Sequence, residues 1–317
     1  MPLWKPIDLV GTMALWLDAA DAATFTHSGG VVSEWRDKSA NARHAVQADN
    51  ARRPRIDTGT INGLPVVRKT GLTQNLAVNM GATFASPTST FFVTRFLQTL
   101  GYASAMTTTN ADDNLNGFAF QYRRDNNTWA TYPLYDSGVY LEAFGTSAKD
   151  VAYQFGVTMP AVGNQGFVYV SGTPLTMVGT VSALLGANHT HLHPLSGNSH
   201  PNGSGFSANL DFAEAVIYQG VLGTAERQLV EGYLAHKWGL AGSLAADHPY
   251  KAAAPSIGTT FNRSAAITAV GTVTATWSRK LWGGRNATPQ ESQNGGQLDQ
   301  SARGGELMPS TKTGLLG

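Results

Sequence analysis

The feature that most constrains the fold of this chain is a repeated pattern of short stretches in which apolar residues alternate with small or polar ones. A two-residue period is typical of β-strands with one buried face. Turn-forming residues separate the stretches, as at 28–30, 61–63 and 125–127. The predicted strands are 13–17, 31–35, 64–67, 90–94, 117–122, 139–144, 151–157, 167–170 and 212–218. Many strands without interleaved helices predict an all-β, antiparallel sandwich or jelly roll.

Composition supports an all-β globular chain and excludes several functional classes. Of the 317 residues, 14% are charged, below the roughly 25% of an average soluble domain, and 35 are glycine. The 22 basic and 21 acidic residues leave no basic surface for nucleic acid. Because the chain has no cysteine, a disulfide scaffold, a thiolate metal site and a cysteine nucleophile are all excluded.

Neither membrane insertion nor secretion is expected from the sequence. No stretch reaches the length of about 18 consecutive apolar residues that indicates a transmembrane helix. Residues 1–6 contain no apolar segment behind a basic start, so no signal peptide is predicted. We therefore expect the chain to be synthesised in a cytosol, where it either stays soluble or leaves by a route other than secretion.

One segment, 224–238, has the period of an amphipathic helix. Its apolar stripe is formed by Leu229, Val230, Tyr233, Leu234 and Trp238. Thr224 is the predicted N-cap, Glu226 in the first turn suits the helix dipole, and Gly239 stands where a C′ glycine ends a helix. We predict one C-terminal helix that packs on a sheet or closes one end of the sandwich.

The composition changes after residue 250, and this change divides the chain. We predict an N-terminal arm at 1–11, a sandwich domain at 12–251 and an extended tail at 252–317. The tail is rich in Thr, Gly, Ser and Gln and has few large apolar residues beyond Trp282, so it cannot bury a core alone. Two alternatives stay open: the tail is disordered, or it becomes ordered by lying across a neighbouring subunit.

Motifs at both ends of the predicted domain resemble those of a known family. They are LWLDA at 15–19, WRDKS at 35–39, NGLPVV at 62–67, AEAVIY at 213–218, EGYLAHKWGL at 231–240 and HPY at 248–250. Together they resemble the concanavalin A-like, or laminin-G-like, jelly-roll modules of bacteriophage virion proteins and bacterial surface proteins. The chain departs from the family pattern at 69–71, where Lys-Thr-Gly replaces an aromatic and an acidic residue before the glycine. The resemblance implies the fold, but this fold hosts lectins, glycosidases and structural modules alike.

Four aromatic residues outside these motifs are the predicted glycan-binding residues: Trp129, Tyr132, Tyr135 and Tyr140. They fall in a turn-rich segment, and aromatic side chains on loops at one end of a sandwich often form binding faces. The alternative is that they pack in the core or between subunits. In contrast, Trp16, Trp35 and Trp238 lie in the motifs and are predicted to belong to the core.

The densest group of potential metal ligands is a histidine cluster. It consists of His189, His191, His193 and His200, four of the eight histidines within 12 residues. In a strand, alternation by two would place the first three on one face, where neutral imidazoles can bind Zn²⁺, Ni²⁺ or Fe²⁺. The alternative is an exposed polar loop that happens to be rich in histidine.

Carboxylates near the predicted turns allow a second kind of metal site. Asp18 and Asp21 flank the turn after the first predicted strand, and Asp37 precedes Lys38 and Ser39. Short carboxylates in such turns usually cap backbone N–H groups. The alternative is Ca²⁺, which loop carboxylates and carbonyls can hold. The cofactor that these residues suggest is thus a divalent metal, either Ca²⁺ or a histidine-bound transition metal.

No catalytic motif is found, and we predict a chain without enzymatic activity. Glu34, Glu142 and Glu214 lie in predicted strands, but none has the close Glu-x-Asp-x-x-Glu spacing that the resemblance would imply for a laminarinase-like glycosidase. The sequence also contains no Gly-x-Ser-x-Gly elbow, no Walker A loop and no dinucleotide-binding fingerprint.

Two hypotheses for the function follow from the resemblance and the composition. The first is a structural protein of a tailed-phage virion, on a tail, fibre or surface appendage, with a lectin-like domain that contacts host-surface glycans. The alternative is a purely structural capsid or tail decoration protein with no glycan ligand. In both, residues 252–317 contact other copies of the chain and other virion proteins, and the chain is a homo-oligomer located in the virion.

Overall fold

The computed structural model describes most of the N-terminal four-fifths of the chain. The described residues are 2–9, 12–56, 59–71, 73–81, 87–97, 103–109, 119–123, 128–132, 142–146, 148–159, 166–175, 177–178, 190–195, 209–257, 298–300 and 307–309. Only the backbone is described at 12, 103, 109, 119–123, 128–132, 142–146, 177–178, 298–300 and 307–309. Residues Pro2–Ile257 form one compact unit, and Gly258–Gly317 with residue 1 form another.

The elements of the first unit are mostly short strands. The strands are β1 Thr12–Asp18, β2 Phe25–Ser28, β3 Val31–Trp35, β4 Ala45–Val46, β5 Thr60–Ile61, β6 Leu64–Pro65, β7 Val67–Lys69, β8 Ala77–Asn79, β9 Thr88–Phe96, β10 Ala103–Thr109, β11 Ala119–Arg123, β12 Thr128–Tyr132, β13 Glu142–Thr146, β14 Ala152–Met159, β15 Phe167–Val170, β16 Thr173–Pro174, β17 Met177–Val178, β18 His191–Pro194 and β19 Leu210–Gln219. The helix α1 spans Thr224–Lys237, and short 3₁₀ turns lie at Pro6–Asp8, Ala22–Thr24, Asn50–Arg52 and Ala241–Ser243. In the second unit, β20 Leu298–Gln300 pairs with β21 Leu307–Pro309.

Two antiparallel sheets form the first unit. Within the described residues, the first sheet has the order β1-β19-β9-β14-β15-β16, with β7 also paired to β19. The second sheet has the order β17-β13-β12-β11-β10-β18-β8-β4-β3-β2, and β5 and β6 form a small hairpin. The first sheet therefore pairs the N-terminal strand β1 with the C-terminal strand β19. This arrangement confirms the predicted all-β antiparallel sandwich with a C-terminal helix.

An aromatic chain crosses the space between the two sheets. Trp35 on β3 stacks on Phe25 at 5.4 Å and meets Phe212 on β19 edge-on at 6.2 Å between ring centroids. Phe212 stacks on Phe92 at 5.9 Å, and Phe92 stacks on Phe155 at 5.2 Å. These rings are buried, so the core lies between the sheets. Trp16, Trp35 and Trp238 are all buried, as predicted.

The helix α1 covers the other face of the first sheet. It packs on β9 and β14, and nearly every residue of β9 and β19 is buried, because these strands have the core on one face and the helix on the other. The predicted stripe residues Leu229, Val230 and Leu234 are fully buried.

The ends of α1 differ in part from the prediction. The N-cap is Gly223 rather than Thr224, because Gly223 is extended and its N–H donates to Glu226 Oε2 at 3.0 Å. At the other end Gly239 has φ +72°, which confirms it as the terminating glycine. Asn62 Nδ2 donates to the carbonyl of Lys237 at 3.0 Å, so the β5–β6 turn caps the last turn of the helix.

Residues 2–8, which are part of the predicted N-terminal arm 1–11, contact the C-terminal end of the first unit. The Trp4 N–H donates to Pro255 O at 3.0 Å, and the Ile257 N–H donates to Pro2 O at 2.9 Å. Trp4 is buried and contacts Tyr233 of α1 edge-on at 6.1 Å. Within the described residues, no helix has the length and apolar character needed to cross a membrane.

Candidate functional site

A buried carboxylate, Glu214 on β19, lies at the centre of the interface between α1 and the first sheet. Its side chain is fully buried and accepts hydrogen bonds from Trp16 Nε1 and Trp238 Nε1, both at 2.7 Å. Lys237 Nζ donates to it at 2.7 Å and the Tyr233 hydroxyl at 3.0 Å. A buried carboxylate is tolerated only with such partners. Glu214 therefore joins α1 to β1 and β19.

Asp18 extends this cluster toward the surface. Lys237 Nζ donates to Asp18 Oδ1 at 2.5 Å, and Lys38 Nζ donates to Asp18 Oδ2 at 2.9 Å. Lys38 also pairs with Asp21 at 2.8 Å, and its ammonium lies 4.5 Å from the centroid of the Trp16 ring. With Glu214, three carboxylates face two ammonium groups, so most of the charge is neutralised within the cluster.

Burial is the largest cause of the pKa shifts of Glu214 and Tyr233 in this cluster. It raises the pKa of the Glu214 carboxyl, and the Lys237 charge acts in the opposite direction. Burial likewise raises the pKa of the Tyr233 hydroxyl, which keeps that group a hydrogen-bond donor. Lys237 lies between Asp18 and Glu214 and forms an ion pair with each of the two carboxylates. The arrangement anchors the helix, and Glu214 has no exposure to solvent.

Asp37 satisfies the free edge of β1. Its Oδ1 accepts from the Trp16 N–H at 2.9 Å and from the Ser39 N–H at 2.8 Å, and its Oδ2 accepts from the Arg43 N–H at 3.0 Å. The Lys38 N–H donates to Trp16 O at 2.8 Å. The loop 37–43 thus replaces a neighbouring strand.

The other two aspartates also cap turns. Asp18 Oδ1 accepts from the Ala20 N–H at 3.1 Å, and Asp21 Oδ1 accepts from the Ala23 N–H at 3.2 Å. These bonds are those expected of the capping alternative at Asp18, Asp21 and Asp37. A Ca²⁺ ion bound by the carboxylates of Asp18 and Asp21 would have to compete with the lysines that they already hold.

A second ion cluster joins α1 to the C-terminal motif. Arg227 Nη1 donates to Glu231 at 2.6 Å, and the ring of the buried His248 lies 3.2 Å from the same carboxylate. The Arg227 guanidinium also lies 3.9 Å from the Tyr169 ring centroid. Sequence reasoning identified the helix and the HPY motif but missed this contact. The four-residue spacing of Arg227 and Glu231, which places them on one helix face, is the sequence feature that could have indicated this contact.

A buried lysine, Lys69, extends from β7 toward the second sheet. Its Nζ donates to Leu195 O, just after β18, at 3.0 Å. Burial lowers the pKa of the Lys69 ammonium to about 8. Sequence reasoning marked 69–71 as a departure from the family pattern but assigned Lys69 no role.

Two of the four predicted metal-binding histidines are described, and they are neighbours. His191 and His193 lie on β18 with ring centroids 6.4 Å apart and ring planes 26° from parallel. His193 is buried, and burial, together with the charge of His191, lowers its pKa to about 4. His189 and His200 lie outside the described residues. Within the described part, no group of three or more His, Cys, Asp or Glu side chains is placed to hold a metal ion.

The predicted aromatic residues lie in part on the second sheet. Trp129 and Tyr132 belong to β12, where Trp129 pairs with Tyr122 of β11, rather than to a turn. Their side chains are outside the described part of the chain, as are Tyr135 and Tyr140 altogether. Of the glutamates tested for catalysis, Glu34 is partly buried and pairs with Arg36 at 3.1 Å, and Glu142 starts β13.

Comparison with known proteins shows relatives in structure alone. No protein-family model matches the chain, and no curated protein matches it. Among solved structures, Trypanosoma rangeli sialidase in complex with sialic acid is 16% identical over 71% of this chain and 33% of that chain, with a TM-score of 0.51. The same sialidase with 2,3-difluorosialic acid, a covalent intermediate, is 16% identical over 70% and 33%, with a TM-score of 0.50. A botulinum neurotoxin type C structure is 12% identical over 70% and 51%, with a TM-score of 0.49.

The chain spans about one third of the length of the sialidases that it matches. At 16% identity this likeness shows a shared fold. It also contradicts one prediction, that of a chain without enzymatic activity. A sandwich of this fold forms part of a sialidase. The absence of the Glu-x-Asp-x-x-Glu spacing from the sequence therefore does not exclude glycosidase-like activity.

Proposed function

We propose that residues 2–257 form a glycan-binding β-sandwich. The observation that carries the proposal is the fold shared with a sialidase solved in complex with sialic acid, at a TM-score of 0.51. The glycan class that this likeness favours is a sialic acid-containing saccharide. The likeness supports a ligand class through the fold alone. The binding residues are inferred from the positions of the aromatic residues in this chain.

The second sheet is the proposed binding surface. The helix α1 occupies the outer side of β9 and β14, so the middle of the first sheet is closed to a saccharide. The second sheet carries Trp129 and Tyr132 on β12. Aromatic rings present flat apolar faces to the C–H groups of sugars, and their polar edges accept or donate hydrogen bonds. Positions 129 and 132 belong to opposite faces of β12, and the ladder through Ala119 and Thr107 puts position 132 on the face away from Trp35 and the core. Trp129, Tyr132, Tyr135 and Tyr140 are the proposed glycan-binding residues, and Tyr132 is the first to test.

We further propose that the chain belongs to a bacteriophage virion, on a tail, fibre or surface appendage. The motifs at 231–240 and 248–250, which resemble those of virion modules, support this proposal. In the described part of 258–317, β20 and β21 form a hairpin, and a two-stranded hairpin alone is marginally stable in water. This observation favours a second candidate as well, a purely structural protein whose residues 252–317 contact other copies and other virion proteins.

A glycan-binding experiment tests the first proposal. The full chain is screened on a glycan array, and sialylated oligosaccharides are then titrated by calorimetry, with free sialic acid measured in parallel to detect hydrolysis. We expect Tyr132→Ala to weaken binding about 10-fold or more, the loss typical of an aromatic anchor. The matched control is Phe167→Ala, because Phe167 is a 44% exposed aromatic residue on β15 of the first sheet.

The outcomes separate the two candidates. Loss of binding in Tyr132→Ala, with an unchanged unfolding temperature and normal binding in Phe167→Ala, supports a glycan site on the second sheet. If no glycan binds, and deletion of 258–317 abolishes assembly while the sandwich stays folded, the purely structural candidate replaces it. Loss of binding in Phe167→Ala alone would move the site to the first sheet.

A further inference from the structure

The pair of histidines on β18 lies in a polar environment on one face of the second sheet. Residues two apart in a strand lie on the same face, and the ring centroids of His191 and His193 are 6.4 Å apart. His193 is buried while His191 is partly buried, so the pair extends from the interior of the sheet face toward solvent. An ion can therefore approach from the side of His191.

Two threonine hydroxyls border the pair. Thr190 Oγ1 lies 3.0 Å from His191 Nδ1. When Nδ1 carries the proton of the ring, this contact leaves the lone pair of Nε2 available, as a metal ligand requires. Thr107 on β10 is directly opposite His193 in the ladder, and directly opposed residues share a face. The Thr107 hydroxyl is buried and finds no hydrogen-bond partner within the described residues.

We propose that His191 and His193 together bind one divalent transition metal ion. The ring nitrogens are two ligands, and water completes the coordination. The buried Thr107 hydroxyl is placed to hydrogen-bond a water on the ion, which would satisfy a group that otherwise costs folding free energy. Imidazole nitrogens bind Ni²⁺, Cu²⁺ and Zn²⁺ more strongly than Ca²⁺, which prefers oxygen ligands.

The two rings share an ion only after one of them moves. Metal–nitrogen bonds of about 2.0–2.1 Å place each ring centroid roughly 3.2 Å from the ion, so two such rings have centroids at most about 6.5 Å apart. The observed 6.4 Å would require an almost linear arrangement about the ion, and rings whose planes are 26° from parallel do not direct their nitrogens at one point. Rotation of the partly buried His191 toward His193 would narrow the angle at the ion to a tetrahedral one. The site is therefore assembled by movement of one side chain.

Titration of the tag-free full-length chain with NiCl₂ by calorimetry tests the proposal. We expect one ion per chain, and His191→Ala should bind at least about 10-fold more weakly, since the loss of even an indirect partner of a metal has that effect. At a ZnCl₂ concentration about 100 times the dissociation constant, the unfolding midpoint should rise by about 5 °C. The matched control is His27→Ala, at an exposed histidine on β2, which should bind like the wild type.

The result that would overturn the proposal is Ni²⁺ binding of equal strength in His191→Ala and wild type, or equal stabilisation by CaCl₂. A further measurement does not depend on a variant that folds. In the wild-type chain, paramagnetic Ni²⁺ should broaden the imidazole NMR signals of His191 and His193 before those of His27 and His44. Broadening that begins at the other histidines would contradict the site.

Discussion

The two sheets of this sandwich use polar residues in opposite ways. On the first sheet, the buried charges of Asp18, Glu214 and Lys237 contact one another and hold α1 in place. On the second sheet, the polar pair His191 and His193 lies on a single strand, β18, with ring centroids 6.4 Å apart. The charges on the first sheet join segments that are distant in the sequence, whereas the polar and aromatic groups of the second sheet are those proposed to contact a ligand. We therefore assign anchoring to the first sheet and binding to the second.

The largest effect is expected from Glu214→Gln. An amide has one acceptor oxygen where the carboxylate has two, so Lys237 loses one of its two negative partners and an indole N–H loses its acceptor. Removing one partner of a buried ion pair costs about 3–5 kcal/mol of unfolding free energy. Urea unfolding of the variant and the wild type measures this loss of unfolding free energy.

The matched control for this change is Glu34→Gln. Glu34 pairs with Arg36 at the surface, where the side chains are 29% and 47% exposed, so the expected loss is below about 1 kcal/mol. Equal losses in the two variants would show that the cluster around Glu214 does not hold the helix.

A pH effect is expected from Lys69, whose side chain connects the two sheets. Its pKa of about 8 in the folded protein is below the ordinary value of 10.5. Between these values the unfolded chain binds more protons, so stability rises with pH across this window and the full penalty is present below pH 8. We expect Lys69→Met to raise the unfolding free energy at pH 7 by up to about 3 kcal/mol and to flatten this rise.

Chemical unfolding at several pH values measures the effect of Lys69→Met against Lys149→Met. Lys149 is a surface residue with 46% side-chain exposure, and its replacement should change neither the stability nor its pH dependence appreciably. A loss of stability in Lys69→Met at pH 7 would mean that the bond to Leu195 O outweighs the cost of burying the charge.

A smaller effect is expected from Gly232→Ala in α1. A Cβ at this position would lie 2.5 Å from Tyr250 Cβ and 2.8 Å from Tyr250 Cγ. Overpacking of this kind costs about 1–3 kcal/mol, although alanine normally favours a helix. In Gly242→Ala, the control, a Cβ meets nothing within 4 Å. Thermal unfolding compares the two, and a stabilised Gly232→Ala would show that the segment at Tyr250 can move away from the helix.

Much of the fold was predictable from the sequence because it follows local patterns. The alternation at 31–35 and 167–170 predicts β3 and β15 with the bounds observed. The N-cap of α1 was assigned wrongly to Thr224, because a threonine before an apolar stripe is the commoner cap and the extended backbone of Gly223 leaves no sequence signal.

The anchoring cluster could not be predicted in the same way. Lys237 and Asp18 are 219 residues apart, and they meet because β1 pairs with β19. A register shift in β19 between Phe212 and Glu214, relative to β9, is also invisible in a two-residue pattern. For the histidines, the same pattern predicts that His191 and His193 share a face, but it does not show that His193 is buried.

We propose that a glycan binds the second sheet and not the helix-covered first sheet. Hydrogen–deuterium exchange with and without a sialylated oligosaccharide is the most direct test of this proposal. We expect slower exchange in peptides that cover β10 to β13, and no change in β9, β14 or α1. Slower exchange confined to α1 and the first sheet would contradict it, and so would unchanged exchange throughout at a saturating saccharide concentration.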